Sequence, residues 1–164
     1  MDRMKILHTG TLDAKAGGPS TSTYLTLKGL VRQGIEAEIF CPPFKNESID
    51  TETFSIHLST QVLKTKLAYS STYKKELEAL GEYDIYHAQG IWQYPTYALI
   101  DTARKKGKPY VITPRGILYP QDIAKSNRFF KQLSLKLRLL KDLNQAACVH
   151  VTCKEEMVHC RELG

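Results

Sequence analysis

The chain has 164 residues, of which 42% are hydrophobic and 24% charged, and a formal net charge of +6. That length suits one domain burying about 70% of the surface its unfolded chain exposes, so no disulfide or metal staple is needed. The composition excludes disordered, collagenous and low-complexity classes, and no apolar run approaches the ~18 residues of a membrane span.

The amino terminus, MDRMKILHTG, enters a strand pattern at residues 4–9 without the apolar core or cleavage site of a signal peptide, so a cytoplasmic setting is expected. Gly17, Gly18 and Pro19 then join this strand to an amphipathic helix at residues 19–33. Two glycines at a strand-to-helix junction let backbone approach a ligand, Pro19 suits a helix start, and a helix N-terminus attracts anions such as phosphate. The stretch GTLDAKAGG is neither GxGxxG nor GxxxxGK[ST], and the second strand, EAEIFC at 36–41, ends without the acid that would hold a ribose. Spacing alone leaves a phosphate-approach loop and a plain turn evenly matched.

An irregular stretch follows at residues 42–60, with one short strand near Phe54 to Leu58. The patterns then give a helix at 61–80, a strand at 84–88, a helix at 96–106 closed by Gly107, and a strand at 109–113. A long helix starts near Ser126, a strand covers 147–152, and a last helix at 153–163 ends at Gly164. Strands separated by helices imply parallel pairing through crossovers, hence an α/β domain with an open, mainly parallel sheet covered on both faces.

Ligands of such sheets bind beyond the carboxyl ends of the strands. The loops at Thr9–Gly18, Gln89–Pro95 and Pro114–Pro120 are therefore the candidates. Trp92 and Tyr94 beside Gly90 could wall a sugar or plug the core, and Arg115 could clamp a phosphate or make a surface ion pair. His87 could serve the site or sit satisfied in the core, and Asp84 begins its strand. No nucleophilic triad or carboxylate pair has usable local spacing.

Cys41, Cys148, Cys153 and Cys160 lack CxxC spacing and are expected as reduced thiols. Cys148, His150, Cys153, His159 and Cys160 are split between a strand and a helix, so no metal site is expected. Residues 104–141 carry +10 and the rest of the chain −4. Within that basic segment, Ser126–Leu143 places Phe130, Leu133, Leu137 and Leu140 at helical spacing, with Leu135, Leu139 and Leu143 widening the apolar arc. Lys131, Arg138 and Lys141 on the remaining side suit an anionic membrane surface, and burial between sheet and partner domain is the competing reading. No RNP-like or helix-turn-helix pattern supports nucleic acid as a partner.

Taken in order, residues 4–40, YDIYHAQGIWQYP, KPYVITPRGILYP and LNQAACVHVTCKEEMVHCRELG resemble the amino-terminal domain of family-four glycosyltransferases of the GT-B architecture. The likeness is strongest to bacterial members that build cell-surface glycans and weakest between residues 42 and 80. It implies a single Rossmann-like, acceptor-side domain over residues 1–164, forming one half of a two-domain enzyme. It places Gly17, Gly18 and Pro19 beside the donor's phosphates, and Gln89, Gly90, Trp92, Tyr94 and Arg115 on the acceptor side. The family's HxHG element stands here as His87, Ala88, Gln89, Gly90, so its second histidine is replaced by glutamine. His87 and Arg115 are the catalytic candidates, although Arg115 cannot be a base at neutral pH. The likeness also implies sugar transfer from a nucleotide-sugar with retention, without metal or other cofactor. The expected partners are a carboxy-terminal donor-binding domain, absent from this chain, and a glycan or lipid-linked acceptor. The chain alone is expected to have little or no transferase activity.

Overall fold

The computed structural model describes residues 3–60, 67–119 and 128–163. Strand β1 (Lys5–Thr9) leads through a 3-10 turn (Ala14–Ala16) to helix α1 (Gly18–Arg32), then to β2 (Glu36–Cys41) and β3 (Ser55–Leu58). Helix α2 (Tyr73–Ala79), β4 (Ile85–Gln89), α3 (Tyr94–Lys105) and β5 (Tyr110–Thr113) follow. Helix α4 (Arg128–Ser134) passes through a π turn (Leu135–Leu139) into α5 (Leu140–Asn144), and β6 (Cys148–Val149) and α6 (Lys154–Glu162) complete the described chain.

All six strands are parallel, in the order β3-β2-β1-β4-β5-β6. The chain builds outward from β1 in one direction and from β4 in the other, so the topology switches between these two strands, where α/β sheets leave a crevice. Strand alternation sorts the core into two clusters. Leu7, Phe40, Tyr86, Ala88 and Ile112 pack with residues of α2, α3 and the π turn, while Ala37, Ile39 and Cys41 pack with Leu27 of α1. Helices thus cover both faces, as the alternating pattern requires.

Two expected elements are shorter than the pattern suggests. Of the helix expected at 61–80, Tyr73–Ala79 is helical; residues 61–66 lie outside the described residues, and 67–72 are not helical. Ser70 Oγ accepts from the Thr72 and Tyr73 amides, so a hydroxyl-rich turn competes with the helix there. The strand expected at 147–152 pairs in register only at Cys148 and Val149, although the Ala147 and His150 amides still donate to Tyr110 and Ile112. The expected cap at Gly164 lies outside the described residues.

Arg138 is corrected in its placement. Rather than facing a membrane, it donates to Asp101 at 2.6 Å, to Asp142 at 3.2 Å and to the Tyr97 carbonyl at 3.2 Å, stacked on the Tyr97 ring. Asp142, fully buried, also accepts from Arg104 at 2.6 Å. The cluster fastens the π turn and α5 to α3. Lys141 is exposed and Lys131 half-buried.

Candidate functional site

Polar side chains gather at the carboxyl ends of β1, β4 and β5, on the sheet face covered by α1. His8 and His87 are register partners across β1 and β4, and Gln89 and Thr113 are partners across β4 and β5. All four are buried, where each polar atom needs a partner. Gly10 makes room for them: a Cβ there would stand 2.9 Å from the Gln89 Cβ.

One nitrogen fixes the polarity of the cluster. Arg115 Nη2 can only donate, and it donates to the Gln89 carbonyl oxygen and, at 3.1 Å, to Thr23 Oγ1 of α1. The Gln89 amide nitrogen therefore faces His8 Nδ1 at 3.2 Å and His87 Nδ1 at 3.4 Å, and both ring nitrogens accept. Each imidazole then carries its hydrogen on Nε2. His87 Nε2 donates to Thr113 Oγ1 at 2.7 Å, and the Thr113 hydroxyl lies 3.3 Å from His150 Nδ1. Among the described residues, His8 Nε2 and Arg115 Nε are buried without partners.

Burial keeps both histidines neutral. Desolvation, with His150 and Arg115 nearby, holds His87 down at about 3, and desolvation, His87 and Arg115 hold His8 well below the ordinary imidazole value. Both ring nitrogens of His87 are engaged within the protein, so this conformation presents no free atom for proton transfer. Desolvation also lowers Arg115, with Glu156 opposing.

The loops around this cluster are held out of ordinary backbone geometry. Trp92 and Arg115 adopt φ of 66° and 58°, conformations that cost non-glycine residues about 1–3 kcal/mol and cluster at functional sites. Trp92 Nε1 donates to the Ile117 carbonyl at 3.3 Å, joining the loop after β4 to the loop after β5. Trp92 and Tyr94 are half-buried and pack against the core, with Tyr94 edge-on to Tyr69 at 4.8 Å. Glu156, buried at the start of α6, accepts from the Gly116 amide and from the Thr152 amide at 2.7 Å.

Gly17, Gly18 and Pro19 are exposed at the start of α1. Gly17 has φ 59° and ψ −123°, a conformation open to glycine, and its amide closes the 3-10 turn on the Ala14 carbonyl. That leaves Gly18 and Ser20 as the first-turn amides without an intrahelical acceptor. A Cβ at Gly18 would meet nothing within 4 Å, so no internal packing asks for glycine there. Thr23 connects this turn to the polar cluster, donating to the Pro19 carbonyl at 2.8 Å. A groove of about 880 Å³ lies elsewhere, beside β3. Among the described residues, no three His, Cys, Asp or Glu side chains are grouped to hold a metal ion, and no helix is long and apolar enough to cross a membrane.

The structure brings together Gln89 and His87 of β4 with Arg115 of the loop after β5, and adds His8, Thr23, Thr113, His150 and Glu156. The missed signal was strand register: His8 sits two residues before Gly10 at a strand end, as His87 sits three before Gly90.

Sheet order and strand-end site together define a doubly wound α/β domain of the kind that forms half of a GT-B glycosyltransferase. The chain belongs to the glycosyl transferase 4-like domain family, which matches residues 17–164. Among solved structures it is similar to SsfS6, a glycosyltransferase of Streptomyces sp. SF2575, with a TM-score of 0.55 and 13% identity over 94% of this chain and 52% of that one. It also matches a UGT transferase from Siraitia grosvenorii crystallised with UDP, with a TM-score of 0.48 and 13% identity over 77% of this chain and 32% of that one. At such identity the likeness is one of fold. The chain spans about half the length of the first and a third of the second. A comparison with curated proteins finds no match.

Proposed function

We propose that this domain is the acceptor-side half of a retaining, metal-independent glycosyltransferase, which moves a sugar from a nucleotide-sugar to a growing cell-surface polysaccharide or lipid-linked glycan. The observation that carries the reading is the exposed Gly17–Gly18–Pro19 turn, in which Gly18 has no internal packing reason to be glycine and which is tied through Thr23 to Arg115. The exposed Gly18 amide and the positive end of α1 suit a diphosphate, and Arg115 supplies a fixed positive charge toward the leaving group. The loops carrying Gly90, Trp92 and Arg115 form the acceptor wall, held rigid by their link across Ile117. A second domain holds most of the nucleotide, and transfer takes place at the inner face of the cell membrane.

The test is a transfer assay on the complete gene product with a panel of nucleotide-sugars in the presence of EDTA, following nucleoside diphosphate release and product anomer by NMR. Retained configuration and EDTA resistance support the reading; inversion, or loss of turnover with EDTA, refutes it. Residues 1–164 alone should release no nucleoside diphosphate. The competing reading is a stand-alone basic binding module for nucleic acid or anionic membrane; its nucleic-acid form predicts DNA affinity that falls steeply with salt.

A further inference from the structure

The helix running through α4, the π turn and α5 has two unlike sides. Inward, Leu135 and Leu139 are buried and Asp142 is enclosed by Arg104 and Arg138. Outward, Leu133 is 43% exposed and Leu137 72%, with Phe129 71% exposed one helical turn earlier. These residues are spaced by four. In a regular α-helix such a step drifts around the axis, but a π turn takes more residues per turn and keeps Leu133 and Leu137 nearer to one line. Lys136 and Lys141 are exposed on the same helix.

Charge decides what such a surface fits. Asp142 is the only carboxylate in residues 128–144, and its burial between two guanidiniums leaves the exposed side chains of this helix apolar, cationic or neutral, with no acid among them. A second copy docking by two-fold symmetry would set lysines against lysines. Apolar side chains flanked by lysines match the boundary between acyl chains and anionic headgroups.

We propose that this side of the helix docks on an anionic lipid bilayer, with Leu133 and Leu137 at the acyl boundary and Lys136 and Lys141 against lipid phosphates. The proposal shares with the function above only the idea of a membrane-held acceptor. Its test reads lipid binding without any sugar substrate, so the two can fail separately.

The experiment is co-flotation of the 164-residue chain with vesicles of phosphatidylcholine alone or with an equal part of phosphatidylglycerol. The expected result is binding to the anionic vesicles, weakened about fivefold by each of Lys136→Gln and Lys141→Gln and by high salt. Leu133→Ser with Leu137→Ser should weaken it about tenfold or more, with the chain still folded and its melting temperature lowered by only a few degrees, because Leu137 is mostly and Leu133 partly exposed. Equal binding to both vesicle types, no binding to either, or anionic binding that survives the double leucine change would each overturn the proposal. So would light scattering that shows a dimer dissolved by the leucine changes.

Discussion

Two buried neutral histidines make the stability of this domain depend on pH before any carboxylate titrates. In the unfolded chain an imidazole titrates near 6.5, whereas burial holds His87 at about 3 and displaces His8 in the same direction. A depressed folded value means that the unfolded state takes up the proton first. The stabilisation is fully present above pH 6.5 and is lost progressively as pH falls toward the folded value. Each unmatched proton costs about 1.4 kcal/mol per pH unit, so between pH 6 and 5 the pair should cost about 2 kcal/mol, and His87 alone at most about 5 kcal/mol by pH 3. Against a total of about 5–15 kcal/mol, that loss is large. Urea unfolding at pH 7.5, 6 and 5 measures it, with His87→Gln expected to remove about half of the slope. A stability curve flat from pH 7.5 to 5, or a slope unchanged in that variant, would refute the neutral pair.

Gln89→Glu keeps the bond to Arg115 but removes the amide hydrogens, so His8 and His87 should move their protons to Nδ1; nitrogen-15 NMR of the histidines reads the inversion, and unchanged Nε2–H signals would contradict the assigned polarity. Gly17→Ala forces a side chain into φ 59°, ψ −123° and should cost about 1–3 kcal/mol. Thermal denaturation should register that as a loss of about 2–10 °C. Asp142→Ala leaves Arg104 and Arg138 without their shared carboxylate; because both are partly exposed, the loss should be about 2–3 kcal/mol. Arg138→Ala, which spares the Arg104 pair, should cost less in the same unfolding experiment, and the reverse order would contradict the described network.

Much of the sheet could be read from the chain because β1, β2, β4 and β5 are short, mostly buried runs with aliphatic or aromatic centres, set between helical patterns. The start of α2 could not, since Ser70 and its neighbours divert the backbone into a turn that a helical average over 61–80 smooths away. Arg138 misled for a related reason. Helical spacing tells which residues share a side but not which acid on another helix awaits them, and Asp101 lies on α3. At the site, Gln89 ends β4 and Arg115 stands in the loop after β5, each beside a glycine that announces it. His8 and Thr113 acquire meaning only from the register of adjacent strands, and Glu156 only from where α6 returns to the loop after β5.

Three elements meet at Arg115 Nη2: α1 through Thr23, β4 through Gln89, and the loop after β5 through the arginine itself. Energies at such a junction do not partition. Removing any one member takes away part of what the other two contribute, so Thr23→Ala, Gln89→Ala and Arg115→Ala measured singly should sum to more than the triple change. The excess is the coupling free energy of the junction, and it makes the three strand-end segments one thermodynamic unit.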